Sequence, residues 1–319
     1  MNETEHTPED DLASDALDLL SQVLRADDGK RIVRVVLPGT VLDANSGDAN
    51  PGDANPGVFW LKRFGIDQYR LPQRMHAALS PLIPVQALRS AILVAPSAQL
   101  QREVRKLTAF AHAGIPVPRI VLKGDSALVY SDTGANIHSR LADYKSRGET
   151  DRAEALLLRV ARALGAVHRA GLCHGRPHPR DMFVAPDGRI GFYDFEEEPE
   201  ARMTLLEAQA RDMWLLFMQI CMSPPKADTP EKALAEYRAE APAAVLSRVR
   251  PLVAPFKPLL PIFGFFEHRG LGKDGKRLLY ATRFLSDALQ HDAGEGSEGA
   301  PAHRDPQGAS TMKKAGKKP

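Results

Sequence analysis

Several classes of protein are excluded by what this chain has little of. It has two cysteines in 319 residues, Cys173 and Cys221. Two thiols in apolar settings make neither a disulfide framework nor a metal cluster, and they point to a reducing compartment. Lys and Arg number 42 against 40 Asp and Glu, a formal net charge of +2. No global basic field exists, and no nucleic-acid partner is expected. No run approaches the roughly 18 uninterrupted apolar residues of a membrane-spanning helix. The acidic start, MNETEHTPEDDLASD, lacks the apolar core of a signal peptide. A soluble, cytoplasmic chain is the expectation. Its hydrophobic content of 43% over 319 residues is enough for two lobes, or one large domain with tails.

What the chain does have is concentrated between His174 and Phe195, HGRPHPRDMFVAPDGRIGFYDF. A polar loop leads into a short strand, Met182 to Ala185, then a Pro-Asp-Gly turn and a second strand, Arg189 to Tyr193. Asp181 precedes the first strand and Asp194 follows the second, so pairing of the hairpin brings two carboxylates together. Such a pair repels unless a cation or a shared proton lies between its members. A hard divalent metal that also holds phosphate is one sensible occupant.

This stretch resembles the catalytic loop, hairpin and metal loop of the protein-kinase-like fold. It is closest to the bacterial lipopolysaccharide (Kdo) kinase-like and aminoglycoside-phosphotransferase-like branches, whose loop reads HGDxHxxN and whose metal loop reads DF or DxD. His174-Gly175 and Asp194-Phe195 match, and Asp181 falls where the family has its metal-binding Asn. The spacings agree, with 18 residues from the third loop position to Asp194 and 13 from Asp181 to Asp194. The departure is Arg176, which stands where the family has its catalytic Asp.

The resemblance implies an α+β, bilobal protein-kinase-like fold, with a small antiparallel sheet in the N-lobe and a mainly helical C-lobe. The expected organisation is an acidic N-terminal segment with a short helix (1–27), an N-lobe (28–131), a C-lobe (132–290) and a disordered basic tail (291–319). Within the N-lobe, residues 43–57 read as an expanded hairpin loop and 65–97 as an insertion.

Taken in order, residues 10–26 place Leu12, Ala16, Leu19, Leu20 and Val23 on one helical face, which suits packing on the outside of the body. Two strands follow, Arg31–Leu37 and Val58–Phe64, separated by DANSGDANPGDANPG, a turn-forming unit written three times. Lys62 in FWLK resembles the V-A-I-K strand of kinases, where the lysine reaches the nucleotide phosphates and pairs with a helix carboxylate. Glu103 is the matching carboxylate, beside the face formed by Leu100, Val104, Leu107 and Phe110. The insertion carries Arg70, Arg74 and Arg89 among apolar residues. Solvated arginines on helices are the favoured reading of it, against a surface for anionic lipid at the inner membrane. The strand Ser126–Ser131 leads to the hinge, so Ser131 and Asp132 fall by position beside an adenine ring.

Helices are expected at 136–146, 151–170, 205–222, 228–248 and 278–289. Prolines make 250–266 an irregular packed segment or surface wedge. The acidic run Glu196, Glu197, Glu198 and Glu200 reads as a solvated loop. The family's glycine is absent at position 196, so no flip of the metal loop is expected. Asp212 interrupts a strongly apolar helix. By resemblance it supports the catalytic loop from below, with His174 as a second structural residue.

The function so implied is ATP-dependent phosphotransfer. Lys62 would bind the phosphates, Asp181 and Asp194 would hold Mg²⁺, and an acceptor hydroxyl would enter near Arg176. Arginine accepts no proton at usable pH, so His178 or Asp181 would orient that hydroxyl. A purely structural His178 is an equal alternative. The runner-up function is a pseudokinase, a nucleotide-binding or scaffolding module. The acceptor stays open among lipopolysaccharide, other sugars or lipids, small alcohols and protein side chains. A Gly-rich phosphate loop is missing, Gly29 and Gly39 being poor candidates.

Overall fold

The computed structural model describes residues 14–26, 29–37, 57–65, 95–267, 270 and 272–295. Residues 1–13, nearly all of the repeat loop, positions 66–94 of the insertion and the tail beyond 295 lie outside the described residues.

Four strands form one antiparallel sheet: β1 (Ile32–Val36), β2 (Val58–Arg63), β3 (Ile120–Lys123) and β4 (Ala127–Ser131), in the order β1-β2-β4-β3. The register sets Lys62 opposite Ile32 on one side and Leu128 on the other. Strand periodicity then divides the side chains between two faces. Phe59 and Leu61 join Val121, Ala127 and Val129 under helix α1 (Ser14–Arg25), whose Ala16 and Leu20 are fully buried. The alternate residues Lys62, Phe64, Leu128 and Tyr130 lie on the opposite face, and of these Phe64, Leu128 and Tyr130 join the larger core that runs into the helical lobe. All five residues of β4 are buried because both of its faces are covered. Helix α2 (Pro96–His112) packs on this second face with Leu100, Leu107 and Phe110 inward and Glu103 buried beside them.

The helical lobe begins with α3 (Ile137–Ser146), whose N-cap Asn136 accepts the Ser139 N–H at 2.9 Å. Helix α4 (Thr150–Arg169) packs along α6 (Thr229–Glu240). Between α4 and the later helices runs α5 (Leu205–Ile220), opened by a Thr204–Glu207 capping box and carrying the fully buried Trp214 and Phe217. The hairpin of β5 (Met182–Val184) and β6 (Ile190–Phe192) joins the two halves of this lobe, Met182 pairing with Phe192.

Two expectations need correction. The single helix read over 228–248 is two: Pro242 separates α6 from α7 (Ala243–Val253), the backbone turning extended at Ala241. Residues 250–266 are helical and not irregular. The segment continues α7, passes through a 3₁₀ stretch (Ala254–Leu259) and ends in α8 (Leu260–Phe266). Proline forbids one continuous helix, but it is tolerated near the ends of short pieces, where few backbone bonds are lost. The surface-wedge part of that reading has a counterpart in Ile262, Phe265 and Phe266, all exposed. Helix α9 (Lys273–Glu295) is longer than the sequence pattern indicates. Among the described residues no single helix is long and apolar enough to cross a membrane, although the bent pair Ala243–Pro258 and Leu260–Phe266 has the combined length and composition.

Candidate active site

The loop before the hairpin is anchored from beneath. Asp212, buried on α5, accepts the backbone N–H of His174 at 2.6 Å and of Gly175 at 3.0 Å. Burial by itself would raise this carboxyl, but the His168 imidazole beside it and the hydrogen bond it accepts from the loop N–H of Gly175 hold it below the ordinary range. Gly175 has φ 106°, and a Cβ there would overlap the Glu197 carbonyl oxygen, so the second position of the loop admits no side chain. His174 is buried and pushed down to about 4, so it is neutral. Its Nε2 donates to the Tyr193 carbonyl at 3.0 Å and its Nδ1 accepts the Arg176 N–H at 3.4 Å. One imidazole thus ties the loop to the residue preceding Asp194.

Above the loop lies a cavity of about 350 Å³, lined by Trp60, Lys62, Tyr130, Asp181, Tyr193 and Asp194 among others. Lys62 Nζ sits 3.2 Å from both Glu103 oxygens and 2.5 Å from Asp194 Oδ1. Burial would lower the lysine, but the Asp194 and Glu103 carboxylates outweigh it and the ammonium is kept charged. Burial raises Glu103 against the pull of Lys62. Tyr130 adds a hydroxyl donor to Glu103 at 3.3 Å.

Asp194 is the one described non-glycine residue with positive φ, at 66°. That is a strained conformation of the kind kept where a side chain must be aimed. Although burial opposes it, Lys62 holds the Asp194 carboxyl at about 2. Asp181 behaves oppositely: burial and the charge of Asp194 push it up to about 7. Arg176 Nη2 lies 4.0 Å from Asp194 and its Nε 3.6 Å from Glu197. The donor set suits Mg²⁺, which takes one or two carboxylates and completes its shell with phosphate oxygens and water. The repulsion recorded in Asp181 is what such a cation would relieve.

The hinge residues are placed at this cavity differently. Ser131 lines it, but its Oγ accepts the Arg119 N–H at 3.1 Å. Asp132 receives the Trp60 indole N–H at 2.6 Å and the Gly134 N–H at 3.1 Å. Both side chains are therefore engaged within the protein. Trp60 itself was missed by the sequence reading, although strand alternation puts it on the same side as Lys62. His178 does not line this cavity; it lines a neighbouring one. Its Nδ1 accepts the Arg180 N–H at 3.0 Å at the head of a short 3₁₀ turn.

Residues 88–219, which hold α2, both hairpin strands and most of α5, match the lipopolysaccharide kinase (Kdo/WaaP) family. That stretch of the chain is therefore similar to the lipopolysaccharide kinase family. Among solved structures, MAP kinase LmaMPK10 from Leishmania major aligns at 13% identity over 89% of this chain and 87% of its own, with a TM-score of 0.32. The same kinase in complex with an inhibitor aligns at 15% identity over 80% and 87%, with a TM-score of 0.27. No curated protein matches.

The acidic run after Phe195 is not a solvated loop, which corrects the expectation from sequence. Glu196 meets Lys62 at 3.5 Å and also pairs with Arg31. Glu197 meets Arg211 at 2.7 Å. Glu198 meets Arg102 at 3.2 Å and pairs with Arg105, and Glu200 meets Lys106 at 2.8 Å. Lys106, buried on α2, also donates to the carbonyls of Cys173, His174 and Glu197 at 3.1–3.3 Å. The signal in QREVRK is that Arg102 and Lys106 share a helix face with a single acid, Glu103, between them. Phe195 is fully buried 4.5 Å from Phe110, so the start of the run is fixed as well.

Proposed function

We propose that this kinase-like phosphotransferase uses ATP and Mg²⁺ to phosphorylate a hydroxyl acceptor. The observation that carries the reading is Lys62, held between Glu103 and Asp194 at a cavity whose wall also contains Asp181. A lysine so placed is aimed at nucleotide phosphates when they displace it from Asp194. Asp181 and Asp194 are the residues that would hold Mg²⁺, which would supply charge neutralisation at the phosphate oxygens. The acceptor oxygen bonds to the γ-phosphorus as its bond to the bridging oxygen breaks and ADP leaves. Catalysis of this kind is mostly positioning and charge compensation, so a missing catalytic Asp does not exclude it.

The hydroxyl proton needs a destination. Arg176 offers none. His178 accepts a hydrogen bond at Nδ1, and burial and Arg180 push it down to about 4, so it is neutral with its proton on Nε2. It can donate to an acceptor oxygen but not take its proton. Asp181 is the remaining carboxylate at the cavity that can orient the hydroxyl, whose proton can leave on the transferred phosphoryl group or with water. The reading divides the chain into lobes 28–131 and 132–290 around the cavity. It places the chain in the cytoplasm, where buried Cys173 stays reduced, with lipopolysaccharide or a protein as the first acceptors to try.

Arg176 favours the second reading, a pseudokinase, because it stands where the branch has its catalytic Asp and approaches Asp194. The test is Mg-dependent ADP release by wild type, Arg176→Asp and Asp194→Asn. Turnover in wild type that is lost in both variants supports the enzyme. An inactive wild type with turnover gained in Arg176→Asp supports the pseudokinase. Wild-type turnover untouched by Asp194→Asn removes the metal site and the mechanism with it.

A further inference from the structure

A second cavity, of about 460 Å³, lies beside the nucleotide cavity, and Arg180 lines both. It is walled by α3, the start of α4, the loop through His178, the end of α5 and the start of α9. Its ionisable lining is of one sign: His138 and Lys145 from α3, His178 and Arg180 from the loop, and Arg277 from α9, with no Asp or Glu. We propose that this cavity binds an anionic group, phosphate or carboxylate, carried by the acceptor. The proposal rests on the phosphotransfer reading only in calling the ligand an acceptor.

Four observations support a ligand over an accidental crowding of bases. Lys145 and Arg180 have no ion-pair partner among the described residues, whereas Glu149, Glu154, Glu197 and Glu198 nearby in sequence are all paired. The acids at the start of α4, Asp151 and Glu154, are neutralised by Lys226 and Lys232 and so do not balance the cavity. Arg277 places Nη1 2.8 Å from the exposed Asp274, but its Nε is buried without an acceptor. A buried donor left unmade is costly, and an anion in the cavity would complete it. The rings of His138 and His178 lie 6.2 Å apart, and burial together with Arg180, Arg277, His138 and Arg176 keeps His178 unprotonated. The positive field is thus felt by a group inside it. Because Arg180 borders both cavities, an anion held here would set its parent molecule beside Asp181.

The experiment is calorimetric titration at low salt of the full chain, wild type, Arg277→Gln and Lys145→Gln. The probes are inorganic phosphate, glucose 6-phosphate and phosphatidylglycerol vesicles, with Mg-ADP titrated separately. Both substitutions keep good helix formers, and melting temperatures check that the variants fold. Removing one charged donor should weaken anion binding about tenfold, with Mg-ADP affinity unchanged. Weakened binding of glucose 6-phosphate supports the proposal with a soluble acceptor. Weakened binding confined to vesicles supports it with a lipid headgroup as the source. No binding of any anion, or binding indifferent to both substitutions, overturns it. Anion binding that behaves as expected while Mg-ADP never binds leaves the anion site standing and removes the phosphotransfer reading instead.

Discussion

Asp181→Asn tests whether the hairpin brings two carboxylates into one field. An ordinary Asp ionises at 3.8, and folding pushes Asp181 up to about 7, by burial first and the Asp194 charge second. Between those values the folded chain keeps a proton that the unfolded chain has released. Stability therefore falls as pH rises through the window, and the loss is complete once pH exceeds the folded value. From pH 5 to pH 8 about two units of that window are crossed, at most about 2.7 kcal/mol, and partial contact with water reduces this to about 2 kcal/mol.

Wild type alone is not diagnostic. His174 and His178 are pushed down to about 4 by burial, and such groups add stability as pH rises from 4 towards 6.5. Asp194, held at about 2 by Lys62, loses its contribution only below about pH 4. These effects cancel in the difference between wild type and Asp181→Asn. Urea unfolding without metal or nucleotide should show the variant gaining about 2 kcal/mol on wild type between pH 5 and pH 8. Mg²⁺ with ADP should stabilise wild type at pH 8 and the variant much less. A difference that is the same at both pH values would refute the shared field, and with it the metal pair.

Lys62→Met strips the buried Glu103 of its cation and should cost about 3–5 kcal/mol in urea unfolding, with Lys62→Met/Glu103→Met recovering most of it. Equal losses in the single and double variants would show that the pair is not what holds that face. Gly175→Ala must accommodate a Cβ at φ 106° against the Glu197 carbonyl, and a loss of about 2 kcal/mol or more is expected; a neutral result would mean that the loop is free to shift. Trp60 lines the cavity proposed for the nucleotide whereas Trp214 is fully buried against Phe256, so Mg-ADP should change the fluorescence of wild type and not of Trp60→Phe. A change that persists in Trp60→Phe would place the nucleotide elsewhere.

The parts of this protein legible in its sequence are those whose physics is local. The hairpin, with a turn between two short apolar strands, needs only its own residues. Strand alternation puts Lys62 opposite to Leu61, and helical spacing puts Glu103 on the inner side of α2. The His-Gly loop and the Asp-Phe pair are legible because their spacing along the chain is fixed by the hairpin between them. Asp212 stood out because a carboxylate on an apolar helix must find donors.

What tertiary structure decided are pairings between residues far apart in sequence. Glu198 meets Arg102 across 96 positions and Trp60 meets Asp132 across 72, and charge on a loop carries no periodicity that names its partner. The acidic run therefore reads as solvated until α2 is laid against it. Likewise His178 has two cavities within reach of its loop, and only the packing of α3 and α9 turns it to the cationic one. Short-range rules set which residues can carry chemistry here. The packing of α2, α3 and α9 around one loop set which of them face each other, because Coulomb and hydrogen-bond energies depend on distance in space and not along the chain.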